Sequence, residues 1–267
     1  MNLGVISYQD LLSKIEEFYD KVGPKYELIY PNFQVNNHIL AKSILDNIRL
    51  PDNARIADLG CGSGWLLNEL AELNPNFQLV GFDISKDSIE FAKQNFQKTH
   101  PQIHFQVGDW MNVRNIISEK FDLVICIGNT LTHFTEEMQK DVLKEFSFLL
   151  NTNGSALIDT YKDWNERLND LILFEPKGLT RNKNSEIFSC IFSEYQKNIA
   201  IRNICFAHYG AGGITEPRAQ DYEQYVTYQF RFIPSHNMPV KEFGFNTIAE
   251  VNLHDAINIF SYFHLKK

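Results

Sequence analysis

Asp58 stands two residues ahead of a glycine run, Gly60-Cys61-Gly62-Ser63-Gly64, and two further acids, Asp83 and Asp109, follow downstream. Glycines in the spacing Gly60-x-Gly62-x-Gly64 let the backbone pass close to a small ligand. The spacing differs from the G-x-G-x-x-G of dinucleotide sites. The Asp58 carboxylate repels a pyrophosphate and attracts a cation, directly or through water. S-adenosylmethionine (SAM), with its ammonium and sulfonium, suits it. Asp83 can accept from both hydroxyls of a ribose. Asp109 can accept from the 6-amino group of adenine, and Trp110 beside it can cover the ring. The three acids in this order favour SAM over a nicotinamide cofactor. The plainer alternative for Asp58 is that it only organises the turn.

Such acids need strand ends to hold them. Short apolar runs at 55–58, 77–83, 103–107, 121–127 and 155–160 predict five strands, the fourth apolar enough for burial on both faces. Helical periodicity at 65–73, at 86–99 and after Thr135 alternates with them. Thr135 suits an N-cap, Glu136 and Glu137 suit the positive end of the helix dipole, and Asn153-Gly154 is expected to close that helix. The alternation predicts an α/β fold: a Rossmann-like parallel sheet with helices on both faces and its ligand at the C-terminal strand ends. Leu11, Leu12, Ile15 and Phe18, then Ile39, Leu40, Ile44, Leu45 and Ile48, predict two N-terminal helices. The break between them, at 26–31, carries Tyr26 and Tyr30, which either fold over the cofactor or pack as core.

After residue 161 the rhythm changes. Stretches 186–195, 198–209 and 222–233 alternate with aromatic and β-branched residues and predict antiparallel strands, with Gly210-Ala211-Gly212-Gly213 as a flexible loop. Stretches 246–253 and 257–265 predict two closing strands. The expected organisation is a cofactor-binding core at 1–161 and 233–267 with an N-terminal helical lid, and a β-rich acceptor-side insertion at 162–232, after the fifth strand.

The segment 58–64 resembles the first motif of the class I SAM-dependent methyltransferases. Phe82-Asp83-Ile84-Ser85 resembles their ribose-binding motif, and Gly108-Asp109-Trp110 their adenine-contacting motif. Family members often carry Met or Leu where Ser88 stands. The run Ile125-Cys126-Ile127-Gly128-Asn129-Thr130-Leu131-Thr132-His133 is similar to one in the glycine, sarcosine and dimethylglycine N-methyltransferases. That resemblance implies that Ile127 touches SAM while Asn129 and His133 face the acceptor. In glycine N-methyltransferase an I-D-H-R run supplies an arginine for the amino-acid carboxylate; here Ile158-Asp159-Thr160-Tyr161 places tyrosine there. Tyrosine does not replace a bidentate guanidinium. The acceptor is then a neutral, aromatic or larger amine, or a carboxylate held by Arg181, Arg202 or Arg218. Tyr195, Tyr209, Tyr222, Tyr225 and Tyr228 either form an aromatic box for a methylammonium or pack within a sheet. His133 is either a general base or a histidine hydrogen-bonded at a helix start. The expected chemistry is in-line transfer of methyl to a small-molecule acceptor, with a nitrogen preferred to oxygen or carbon. A non-catalytic SAM-binding protein is the remaining alternative.

Composition narrows the partners. Across 267 residues the formal net charge is −8, and no basic run is longer than Lys266-Lys267, which disfavours nucleic acid. No stretch approaches the ~18 apolar residues of a membrane helix. The start lacks a secretory pattern, and Cys61, Cys126, Cys190 and Cys205 match no zinc or redox spacing. The expectation is a cytoplasmic protein with reduced thiols and no metal, compatible with a homo-oligomer.

Overall fold

In the strand Arg55–Leu59, Ile56 belongs to one buried cluster, while Ala57 and Leu59 belong to another. Alternating side chains of a strand reach opposite faces, so this segment requires a covering layer on each side. The computed structural model describes residues 7–30, 32–161, 171–181, 185–196, 199–210, 222–230, 238–254 and 260–267.

Strands β1 (Arg55–Leu59), β2 (Gln78–Asp83), β3 (Ile103–Val107), β4 (Phe121–Cys126) and β5 (Leu150–Tyr161) pair in parallel. A separate antiparallel sheet follows, β6 (Leu171–Arg181), β7 (Ser185–Gln196), β8 (Ile199–Gly210) and β9 (Tyr222–Phe230), paired in sequence order. A hairpin of β10 (Thr247–Val251) and β11 (Phe260–Lys266) then completes the first sheet, whose order is β10-β11-β5-β4-β1-β2-β3. β11 runs antiparallel to β5. Strand order reverses between β1 and β4, the switch point at which doubly wound sheets bind ligands.

Helices α1 (Tyr8–Val22), α2 (Tyr26–Ile29) and α3 (Phe33–Asn47) precede the sheet; α4 (Trp65–Leu73), α5 (Lys86–Ala92) and α6 (Glu136–Leu149) connect its strands. Ile44, Leu67, Leu70 and Ile89 of α3, α4 and α5 cover one face, and Val142, Leu143 and Phe146 of α6 the other. Thr135 caps α6 by accepting from the Met138 amide at 3.4 Å. Phe18, Val22 and Ile29 pack against Ile191, Ile204 and Phe206 of the second sheet. Leu11 and Ile15 of α1 also pack on Ile84, just after β2, so α1 lies between that sheet and the C-terminal strand ends of the core. Lys25 extends this contact with an ion pair to Glu223 and a ring contact to Phe206.

Several sequence expectations change in detail. The break at 26–31 contains the helical turn α2. The α-helical part of the second connection stops at Ala92 and continues as a π turn over Lys93–Gln97. Asn153-Gly154 does not close α6: that helix ends at Leu149, and β5 begins at once. Gly154 serves an irregularity in the pairing of β4 with β5, where an added Cβ would lie 2.8 Å from the Phe121 carbonyl. β6 was not expected. Gly210 ends β8, and residues 211–213 lie outside the described residues. Ser88 also gains a reason: any side chain at Gly23 would collide with its hydroxyl, so the turn after α1 occupies space that a larger residue at 88 would need.

Candidate active site

Gly60, Gly62 and Gly64 all have positive φ, at 86°, 52° and 83°, a backbone region that L side chains enter only with strain. The turn they form is held by β2. The amides of Gly60 and Cys61 donate to the Phe82 carbonyl at 2.7 and 3.0 Å. The Gly62 amide donates to one carboxylate oxygen of Asp83 at 2.8 Å, and the Ser85 amide donates to the other at 2.9 Å. Each oxygen keeps further acceptor capacity. Burial pushes Asp83 up to about 6 against the pull of these amides.

Asp58 lies beneath the same turn and is 4% exposed. Burial, and then the charge of Asp83, push it up to about 8. Among the described residues no donor pairs with its carboxylate. A buried acid without a donor is costly, and an entering cation relieves that cost. The glycine cradle is equally fitted: a Cβ on Gly60 would come within 2.6 Å of Thr130 and 2.9 Å of Trp110. This buried carboxylate and tight cradle fit SAM.

Asp109 follows β3 and caps the short helix Trp110–Asn115. It accepts from the Met111 amide at 3.0 Å, from Asn112 Nδ2 at 2.8 Å and from the hydroxyl of Tyr8. Trp110 is buried, edge-on to Phe134 at 5.3 Å.

After β4 the chain turns through Gly128 and Asn129, both with positive φ. Asp159 of β5 fixes that turn, accepting from both amides at 2.8 Å. His133 ends the next helical turn and is buried. Its Nε2 lies 2.6 Å from the Tyr19 hydroxyl, and its Nδ1 faces Thr227 Oγ1 at 3.5 Å. Tyr19 stacks on Tyr26, and Tyr26 on Tyr30. Burial holds the Tyr19 and Tyr26 phenols well above their ordinary value, so both are neutral at physiological pH.

One cavity of about 200 Å³ joins these groups. Of the residues singled out in the sequence, Tyr26, Asp58, Gly60, Cys61, Gly62, Asp83, Ile84, Asp109, Trp110, Ile127 and His133 line it. Gly64 and Asn129 do not. A Cβ on Gly64 would meet Phe105 at 2.7 Å, so this glycine serves packing of the turn on the sheet. Asn129 directs its amide to Thr132 Oγ1 at 2.8 Å and occupies the left-handed position of the turn. Tyr161 ends β5, but its side chain lies outside the described residues, as do those of Arg181, Arg218, Tyr195, Tyr209, Tyr222 and Tyr228. Tyr225 bonds Glu223 at 2.6 Å within the second sheet, and Arg202 lies on β8, with Nη1 3.5 Å from Gln229.

The lining also holds residues the sequence left unassigned, namely Leu12, Ile15 and Tyr19 of α1, Phe33 and Asn36 of α3, and Asp159. The α1 residues share helical spacing, but apolar periodicity marks a buried stripe without saying whether protein or ligand covers it. Among the described residues no cluster of His, Cys, Asp and Glu suits a metal ion, and no helix is long and apolar enough to cross a membrane.

Comparison with known proteins agrees with this geometry. A family model described as a methyltransferase domain matches residues 50–207. A glycine/sarcosine N-methyltransferase of Aphanothece halophytica is 31% identical over 122 residues, 45% of this chain and 43% of that protein. A malonyl-[acyl-carrier protein] O-methyltransferase of Legionella pneumophila is 33% identical over 116 residues, 41% of this chain and 38% of that protein. The chain spans about half the length, or less, of the curated relatives it matches. In structure it is similar to a SAM-bound amino pentose methyltransferase of Micromonospora echinaspora, with a TM-score of 0.68 at 16% identity, covering 91% of this chain and 94% of that one.

Proposed function

The chain belongs to the class I SAM-dependent methyltransferases, and from that premise we propose that its acceptor is the amine nitrogen of a small molecule. The observation that carries this reading is the Tyr19–His133 pair, with 2.6 Å between hydroxyl and Nε2, on the wall of the cavity that holds Asp58 and Asp83.

In this reading Asp58 faces the ammonium of the cofactor, Asp83 the ribose hydroxyls and Asp109 the adenine. The glycine turn takes the methionine moiety, and Ile127 and Ile84 pack beside the ligand. Bound SAM supplies an electrophilic methyl group on a sulfonium. An amine enters the site protonated and must lose a proton before its lone pair is free. In this reading the Tyr19 oxygen accepts that proton while its own passes to His133 Nε2, leaving Nδ1–H directed at Thr227. Asp159 keeps the turn that carries His133 in place. The neutral rings of Tyr19, Tyr26 and Phe33 form a wall suited to an ammonium through its attraction to aromatic faces.

The charge of the cavity supports nitrogen over a carboxylate acceptor. Asp83, Asp109 and Asp159 line it and, with Asp58 once that acid ionises, disfavour a second anion, opposed at the Tyr19 and Tyr26 wall by the charge of Arg202. Release of S-adenosylhomocysteine (SAH) over a panel of small amines, phenols and carboxylates tests the reading. Turnover is expected with amines; turnover confined to phenols or carboxylates would overturn it.

A further inference from the structure

We propose that Tyr8 is a positioning residue for purine recognition: its hydroxyl, carried on α1, fixes the Asp109 carboxylate so that the cavity demands a hydrogen-bond donor at carbon 6 of the purine. The proposal rests on the reading of the cavity as the SAM site.

Tyr8 is the first residue of α1 and lies 101 positions from Asp109 in sequence. A carboxylate offers about four acceptor sites. The Tyr8 hydroxyl and the Met111 amide take two on Oδ1, and Asn112 Nδ2 takes one on Oδ2. One acceptor site remains, on a residue that lines the cavity. With donors on both oxygens the carboxylate has little freedom to turn away. The Tyr8 ring is itself held, stacked on Phe134 at 6.5 Å and 18°, and Phe134 abuts Trp110. Burial and the adjacent Asp109 hold the Tyr8 phenol well above its ordinary value, so the proton stays on Tyr8 and the bond runs from hydroxyl to carboxylate. A 6-amino group donates to the remaining site. A 6-oxo group turns a lone pair against a fixed negative charge. Leu12, Ile15 and Tyr19 of the same helix line the cavity beyond, so this one hydroxyl ties the purine end to the helix that covers the rest.

Calorimetric titration of the full chain with SAH and with its 6-oxo counterpart, S-inosylhomocysteine, tests this. The unaltered protein is expected to prefer SAH by at least ~100-fold, the selectivity of a site that must leave a charged acceptor unpaired. Tyr8→Phe is expected to weaken SAH binding about tenfold, the scale of one charge-assisted hydrogen bond, and to narrow the preference over the 6-oxo compound. Amide exchange in α1 with SAH bound is expected to quicken. SAH affinity within about twofold of the unaltered protein overturns the proposal. So does weaker binding with an unchanged preference, which would make Tyr8 a packing residue only. Asp109→Asn separates the two levels. If it leaves SAH affinity unchanged, the cofactor reading falls with the proposal; if it weakens SAH while Tyr8→Phe does not, only the role of Tyr8 falls.

Discussion

The two ends of the cavity are assembled in opposite ways. The end proposed for the cofactor comes mainly from one continuous stretch, from Asp58 to Trp110, in which amides of a glycine turn meet the carboxylate of the neighbouring strand. The end proposed for the acceptor gathers Tyr19 and Tyr26 from the first helices, His133 from beyond β4, Asp159 from β5 and, behind His133, Thr227 from the second sheet. Local backbone fixes the first. The second exists only where the first helices, the central sheet and the second sheet meet. Substitutions should therefore divide cleanly: at one end they remove binding, and at the other they slow transfer while leaving cofactor affinity intact.

The largest effects belong to the cofactor end. Gly60→Trp places a bulky side chain at φ 86° against Thr130 and Trp110 and is expected to abolish SAH binding. Asp83→Ala removes the acceptor for two turn amides and is expected to cost about 100-fold or more. Calorimetry that finds both variants unchanged would discard the site. Next, His133→Ala is expected to lower kcat by ~100-fold, a typical contribution of a positioned acid or base, with SAH affinity within about twofold. A matching loss of SAH affinity would erase the distinction between the ends.

A pH experiment probes the cofactor end without mutation. Asp83 and Asp58 titrate at about 6 and about 8, both raised chiefly by burial. Acids with raised values stabilise the fold in their protonated form. That stability is complete below the ordinary carboxylate value of ~4 and is lost as pH climbs through 6 and 8. The Tm of the ligand-free protein is therefore expected to fall from pH 5 to pH 8, and the increment from saturating SAM to grow, because the ammonium opposes the emerging charge. A ligand-free Tm that does not fall over this range would mean that the two carboxylates are already compensated. The smallest effect lies outside both ends: Thr135→Ala removes the α6 cap and is expected to cost ~1 kcal/mol of stability, visible in denaturant melts, with kcat and SAH affinity unchanged.

The same division governs what could be read in advance. Asp58, Asp83 and Asp109 were readable because strand ends and glycine spacing are local patterns, and the parallel strands followed from apolar runs bounded by turns. The role of Asp159 was not, since its two hydrogen bonds join residues 30 and 31 positions apart. Nor were those of Tyr8 and Tyr19, whose partners lie 101 and 114 positions away. Gly154 misled for a related reason. A glycine after a helix usually ends it, whereas here the close approach of Phe121 required one. β6, with Pro176 and Gly178 in mid-strand, carries residues that weaken a strand signal, and its pairing with β7 shifts register between those two positions.

Tyr161 and Phe260 are direct partners across β5 and β11. The chain leaves the central sheet after Tyr161, re-enters it at the edge as β10 and then runs β11 back along β5, so the stretch between Tyr161 and β10, which carries the second sheet, is a circuit that starts and ends on the central sheet. Such a circuit can be lengthened, shortened or exchanged while strand order on the cofactor side stays as it is. If the proposed acceptor site is right, a lineage that keeps β10 and β11 is free to re-tailor its wall by trading that circuit as a cassette, with the face of Phe18, Val22 and Ile29 as the boundary any replacement has to match.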